Sequence, residues 1–282
     1  MKRIVLIAAF LGAAIPAAQF AAAQSETYPA RPVRLVVAFP PGGSVDVVAR
    51  LVAPRLSESL SQPVVIDNRS GASGNIGTEL AARAKPDGYT LLIHTIPFVA
   101  NAHLYSPLPY DPLADFAPVA LLSSSPSVLV NMLGGVDIVA IQYKGGGPAL
   151  VAALGGEIGI SFPNISEAVP HVSAGRLRAL GVTGARRSAA LPEVPTIAES
   201  GVPGYEFVTW HGVLAPRGTP REIVALLNEK LRAILRSPEL SARFAQMGLD
   251  VIASTPEEFS AHLKKEIEKW GRLIRERHMR VE

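Results

Sequence analysis

An α/β fold of two lobes is predicted for this chain by three observations. Short apolar runs such as Leu35 to Phe39 alternate with segments whose apolar residues return at helical spacing, as Val45, Val48, Ala49 and Val52 do. Loops of glycine and other small residues stand between several runs and the helices after them. The 282 residues, 259 once an N-terminal leader is set aside, are long for one domain and comfortable for two small ones.

Residues 1–23 read as a secretory signal peptide. Lys2 and Arg3 precede an apolar run from Ile4 to Ala18, and Ala21 to Ala23 offer a small-residue cleavage site. No later stretch reaches the roughly 18 apolar residues of a membrane span. With 0 Cys the chain has neither a lipid-bearing cysteine nor a disulfide framework. Export to a periplasm is the expectation. The 27 basic and 24 acidic residues fall to 25 against 24 without the leader, since Lys2 and Arg3 go with it and no acid does. That near-neutral balance offers no basic stripe for nucleic acid.

The first strand, Leu35 to Phe39, runs into Pro40-Pro41-Gly42-Gly43, and Ser44 is placed to cap the helix that follows to about Leu60. Two glycines let a ligand approach the backbone, and an open helix N-terminus offers unpaired N–H groups and a positive dipole end to a carboxylate or phosphate. The stretch reads equally as an anion cradle and as an ordinary turn whose glycines serve packing. Asp46 has its own reading as a first-turn acid, and Pro54 should kink or end the helix. Pro63 to Ile66 is a second strand, and the loop Asp67 to Gly77 opens a second helix through Ala84. Two such units in succession expose backbone donors at the carboxyl ends of parallel strands, where α/β proteins bind ligands, and this favours the cradle.

Tyr89 to Ile93 is a third strand, ending at His94-Thr95, and the proline-rich Asn101 to Pro118 reads as irregular surface chain. Val119 to Leu122 and Val128 to Val130 are strand pieces leading to the second lobe. Val136 to Ile141 is a further strand, and the loop Tyr143 to Pro148 enters a helix ending near Leu154. Ile158 to Phe162 and Leu177 to Val182 are the remaining strands of that lobe, with Pro163-Asn164 and a helix between them. Phe207 to Leu214 returns to the first lobe, giving lobes of residues 24–124 plus 209–282 and 125–208. Three packing helices follow. Thr219 to Glu222 and Thr255 to Glu258 fit a capping box, and Ser237-Pro238 a simpler cap.

Catalytic chemistry is hard to find. No Ser lies in a G-x-S-x-G elbow, the six His form no metal-binding spacing and read as surface or singly hydrogen-bonded, and Gly71, Gly74 and Gly77 match neither a dinucleotide fingerprint nor a P-loop. No cofactor and no metal is expected. A rival reading is a secreted hydrolase or isomerase using Ser44, Asp46 and His94, which requires those three to form a working set. Another is a ligand-sensing protein of the same fold without a transport role.

The motifs VVAFPPGGSVDVVAR (36 to 50), NRSGASGNIG (68 to 77), PDGYTLL (86 to 92), LPYDPLADFAPVALL (108 to 122), YKGGGPAL (143 to 150), GRLRALGVT (175 to 183), LPEVPTIAESGVPGYE (191 to 206) and APRGTP (215 to 220) together resemble the Bug receptors, the periplasmic solute-binding proteins of tripartite tricarboxylate transporters. The resemblance implies a periplasmic binding protein-like fold of type II, a Venus flytrap with its cleft between two α/β domains. It implies capture of a small carboxylate (a di- or tricarboxylate, an acidic amino acid or an aromatic acid) and delivery to membrane permease subunits, without catalysis and as a monomer. Carried onto this sequence, the first binding loop falls on Phe39, Pro41, Gly42, Gly43, Ser44 and Asp46, and the second on Gly71, Ala72, Ser73, Gly74 and Asn75. Thr95, Tyr143, Lys144, Gly145 and Gly146 are further expected contacts, and Asn164 is placed at the cleft floor. The chain departs from the family pattern in two respects. Only Asn131 to Gly135 joins two strands that the family separates by a strand and helix walling the cleft, and Pro163-Asn164 stands where the family has an acid.

Overall fold

A computed structural model describes residues 27–131, 143 and 145–280. The expected Val136 to Ile141 strand and Lys144 lie outside the described residues.

Two sheets carry the fold. The larger has the order β2-β1-β3-β8-β4-β9, built from β1 (Val33–Val37), β2 (Val64–Asn68), β3 (Thr90–His94), β4 (Phe116–Pro126), β8 (Val208–Pro216) and β9 (Asp250–Val251). The smaller orders β6 (Ile160–Ser161), β5 (Val128–Asn131) and β7 (Arg178–Val182) as β6-β5-β7. β1 pairs in parallel with β2 and β3, setting Leu35 beside Ile66 and Leu91. This is the pattern expected of apolar runs buried on both faces. Helices α1 (Ser44–Leu60) and α6 (Arg221–Leu235) bury Val48, Val52, Leu227 and Leu231 against one face of the large sheet. The other face carries α3 (Pro97–Leu104) and α8 (Pro256–Glu276), through Phe98, Phe259 and Leu263. This half also carries α2 (Asn75–Ala82) and α7 (Pro238–Gln246). A separate core of Val128, Leu150, Ile165 and Val182 unites the small sheet with α4 (Gly146–Leu154) and α5 (Ile165–Ser173).

Thr183 ties together the segments that pass between the sheets. Its hydroxyl accepts the Ser127 N–H at 2.7 Å and donates to the Phe207 carbonyl at 2.6 Å, in a position only 1% exposed. The Phe207 N–H returns a bond to the Thr183 carbonyl at 2.8 Å. One hydroxyl thereby satisfies two buried main-chain groups where strands leave their ladders.

Several local expectations differ from the structure. The β1 ladder ends at Val37, two residues before Phe39, ahead of two prolines that have no N–H to offer it. Helix α1 runs unbroken through Pro54, because buried residues on both sides, from Val45 to Leu60, oppose a proline cost of about 3 kcal/mol. Asn101 to Leu104 belong to α3 and Phe116 to Pro118 to β4, so the proline-rich stretch is irregular only between them. Thr219 does not cap α6: its hydroxyl donates to the Pro216 carbonyl at 2.8 Å, and Pro220 takes the cap position. Thr255 forms the full capping box with Glu258 on α8, and Ser237 caps α7.

Replacing Thr183 by Val keeps the shape and removes both bonds, leaving the buried Ser127 N–H without a partner. The expected loss is about 2 kcal/mol in urea unfolding, against about 1 kcal/mol for Thr255→Ala at its exposed cap. Equal losses would show that the Thr183 knot carries no special share of stability.

Candidate functional site

The turn from Phe39 to Ser44 meets three other segments at the carboxyl ends of β1 and β3. Helix α1 has Gly43 as its N-cap and no side-chain cap, which corrects the expectation for Ser44: that residue is already the first of the helix. The N–H groups here find acceptors elsewhere. The Gly42 N–H donates to the Asp46 carboxylate at 2.9 Å, and the Gly43 N–H reaches the Pro40 carbonyl at 3.4 Å. The Ser44 N–H donates to the Glu167 carboxylate at 2.5 Å, across from α5. The helix end expected to lie open is therefore met by two of the protein's own carboxylates.

These two acids lie in contrasting surroundings. Asp46 is 2% exposed and receives bonds from Arg50 at 2.7 Å and from the Asn68 amide at 3.0 Å besides Gly42. Burial raises its pKa, but the bonds from Arg50, Gly42 and Asn68 together outweigh that and hold the carboxyl below the usual range. Glu167 is 6% exposed, and its second oxygen is buried without a hydrogen-bond partner among the described residues. Burial pushes its carboxyl up to about 7, against the opposing pull of the Ser44 amide. Of the elements packed on α5, α1 brings Asp46 and Arg50 to this end, already paired with each other. Helix α4 and β4 carry no titratable side chain, and Arg178 of β7 is exposed.

Glycines 145 to 147 close the same space. Gly145, the N-cap of α4, lies so near that a Cβ would stand 3.6 Å from Pro40. A Cβ on Gly146 would stand 2.4 Å from the unpartnered Glu167 oxygen, and one on Gly147 would be 3.5 Å from the Gly43 nitrogen and the Pro41 carbonyl oxygen. The structure thus brings Phe39, Pro41, Gly42, Gly43, Ser44, Gly145 and Gly146 together around Glu167. Tyr143 is half-buried.

The second loop joins the first through aromatic rings. A 3₁₀ turn (Ala72–Gly74) leads into α2 (Asn75–Ala82), and Gly74 has φ +91°, with His94 where its Cβ would be, 2.5 Å from Nε2. Phe39 packs edge-on against His94 at 5.1 Å. Ala72 and Ser73 both hold left-handed φ values, 46° and 54°, beside Gly71 at 130°. Buried Asn101 fastens them by donating to the Ser73 carbonyl at 3.1 Å and to the Asn75 side chain at 2.7 Å. Thr95 lies at the end of β3, its hydroxyl 2.6 Å from that of Thr209. Asn164 stands apart from this group. It caps α5 through Ser166 and bonds Ser125 at 2.8 Å.

His94 and His211 are fully buried rather than at the surface, and His211 makes the single hydrogen bond expected, its Nδ1 3.2 Å from the Ser123 hydroxyl. Burial lowers them to about 4 and about 3, so both are neutral at physiological pH. His94 Nδ1 accepts the Thr95 N–H at 2.9 Å, while Asp46 spends its oxygens on Gly42, Arg50 and Asn68. Neither bonds the Ser44 hydroxyl, and the serine–acid–histidine rival loses its geometric basis. Glu167 is the residue missed in sequence. Its only local signal is a first-turn acid three residues after the Asn164 cap.

A two-lobed α/β frame with small-residue loops at the strand ends defines a binding protein of the periplasmic, Venus-flytrap class. Residues 48–134 and 130–279 match the family described as "Tripartite tricarboxylate transporter family receptor", and the chain belongs to that family of receptors, which are not enzymes. The protein BugT of Bordetella pertussis is 36% identical over 313 aligned positions, covering 95% of this chain and 96% of that one. Two solved structures from Rhodopseudomonas palustris superpose well. Rpa4515, described with adipate, has TM-score 0.84 and 35% identity over 88% of this chain and 97% of its own. MatC, described with bound malate, has TM-score 0.82 and 30% identity over 88% and 100%.

The BugT alignment needs 313 positions, whereas 95% of 282 residues is about 268, so at least about 45 positions of the alignment face no residue of this chain. The family match breaks at 130–134, at the junction where the sequence expects a strand and helix to be missing.

The two acids give opposite pH signatures. A depressed carboxyl stabilises the fold above its unfolded value near 3.8, and that contribution is lost as pH falls below it. For Glu167, raised to about 7 from an unfolded value of 4.5, the fold prefers the proton, so stability falls as pH rises from about 4.5 to about 7. Urea unfolding should lose up to about 3 kcal/mol across that window. Glu167→Gln should remove most of the slope, and an unchanged slope would exclude Glu167 as its source.

Proposed function

We propose that this protein is exported, loses residues 1–23, and serves in the periplasm as a receptor that captures a small carboxylate and delivers it to the permease subunits of a tripartite tricarboxylate transporter. The family assignment supports the receptor role, and receptors of this family are periplasmic. The adipate and malate named for the two R. palustris structures support a dicarboxylate as the ligand class. In this reading the lobes are residues 24–124 plus 209–282 and residues 125–208. The ligand lies between them against Phe39 to Ser44, Gly71 to Asn75, Thr95 and Tyr143 to Gly146.

One observation carries the reading: the turn at the head of α1 already holds a carboxylate group through a main-chain amide, the Ser44 N–H on Glu167. A helix N-terminus suits an anion of any origin, because its free N–H groups and dipole act on charge alone. Recognition by amides identifies the carboxylate and leaves the rest of the ligand to the surrounding side chains.

Calorimetry of the mature protein against adipate, malate, tricarboxylates, acidic amino acids and aromatic acids should find at least one ligand. Intact mass of the exported protein should correspond to a start near Gln24. Absence of heat across the whole panel at high protein concentration would refute the carboxylate reading, and retention of residues 1–23 would refute the leader.

A further inference from the structure

We propose that Glu167 is a built-in competitor for the carboxylate seat: the unliganded receptor closes on its own side chain, and a ligand enters by displacing it. This rests on the receptor reading above and adds a regulatory contact to the same site.

Three observations lead to it. Glu167 crosses from α5 to the head of α1, a helix of 17 residues, and accepts the Ser44 N–H at 2.5 Å. Its other oxygen is buried, has no hydrogen-bond partner among the described residues and lies against Gly146, the first residue of α4. The carboxylate therefore sits between two helix N-termini, where the positive dipole ends converge. A carboxylate serving only the architecture would have both oxygens satisfied, as Asp46 does a few residues away with Gly42, Arg50 and Asn68. Glu167 has the position of a ligand group and only half of the bonds.

The surrounding residues fit an exchange of one carboxylate for another. No cation is bonded to Glu167 among the described residues, so it is held by the Ser44 amide, by weaker pulls from the Asn164 main chain and the Ser44 hydroxyl, and by dipoles. A free carboxylate that engaged both oxygens would be held better. The glycines on either side fit the seat to a carboxylate: the Glu167 oxygen takes the place a side chain on Gly146 would fill, so a ligand carboxylate can occupy it only when Glu167 leaves. Displacing Glu167 breaks the bond between α5 and α1, so ligand entry and release of the self-closed state are one event.

The test uses the full mature chain as wild type, Glu167→Ala and Glu167→Gln, with adipate and malate as ligand probes and acetate as a fragment probe. Adipate or malate should bind Glu167→Ala about tenfold or more tighter than wild type, because no internal carboxylate has to leave. The Ser44 amide should exchange its hydrogen slowly in wild type and faster in Glu167→Ala. Millimolar acetate should restore its protection in the variant and leave the wild type unchanged. Glu167→Gln keeps the side-chain size without the charge. It should also bind more tightly than wild type, and it carries the test if the alanine variant does not fold. Equal or weaker binding by both variants would overturn the proposal, as would Ser44 exchange that ignores the loss of Glu167. If no variant binds either dicarboxylate, the receptor reading fails for these ligands and acetate alone decides: rescue of Ser44 protection upholds Glu167 as occupant of an anion seat, and no rescue overturns it.

Discussion

A carboxylate from one lobe resting on the first amide of a long helix in the other is the contact on which this molecule's arrangement turns. The two sheets have separate cores, joined by the segments around Ser127, Thr183 and Phe207. The bond from Ser44 to Glu167 joins them a second time, where Gly145 to Gly147 lie against Pro40, Pro41 and Gly43. The hydrogen bond to Glu167 is outweighed by the cost of burying its charge, so the contact is one that an incoming anion can replace.

The head of α1 has no capping side chain, so its amides must find acceptors from elsewhere. Asp46, inside the same helix, serves Gly42 and is neutralised by Arg50. Glu167 serves Ser44 from another element and has no such counter-ion among the described residues. The first acid is part of the turn, whereas the second is a visitor to it. Around them Phe39, His94 and Gly74 interlock the two small-residue loops, and Asn101 bonds Ser73, whose left-handed backbone is strained, to Asn75.

Much of the frame was legible along the chain. Runs such as Leu35 to Val37 and Leu91 to Ile93 are apolar on both faces, and the Thr255 and Ser237 caps are written in four and two residues, so local chemistry suffices to place them. The failures have two causes, distant packing and a competing local bond. Pro54 is expected to kink or end α1, yet the helix runs on through it, with Val52, Ala53 and Leu56 buried around it. Prolines hid α3, which is stabilised by the contact of Phe98 and Val99 with the sheet and α8. Thr219 found an acceptor in Pro216 and left its cap unmade. In each case a contact with a residue distant in sequence, or a competing local bond, outweighed a propensity worth at most a few kcal/mol.

What the sequence by itself determined is the alternation of buried strands with glycine-opened helices, the absence of a reactive triad or cofactor fingerprint, and a motif set specific enough to name a family. What only the tertiary structure decided is who meets whom at the strand ends. Glu167 lies 123 residues from Ser44, and nothing in its neighbours marks it as more than a first-turn acid. Main-chain amides leave no trace in the residue code either, because every non-proline residue has one. Their availability is settled by folding, which brought a second carboxylate to the amide that looked free.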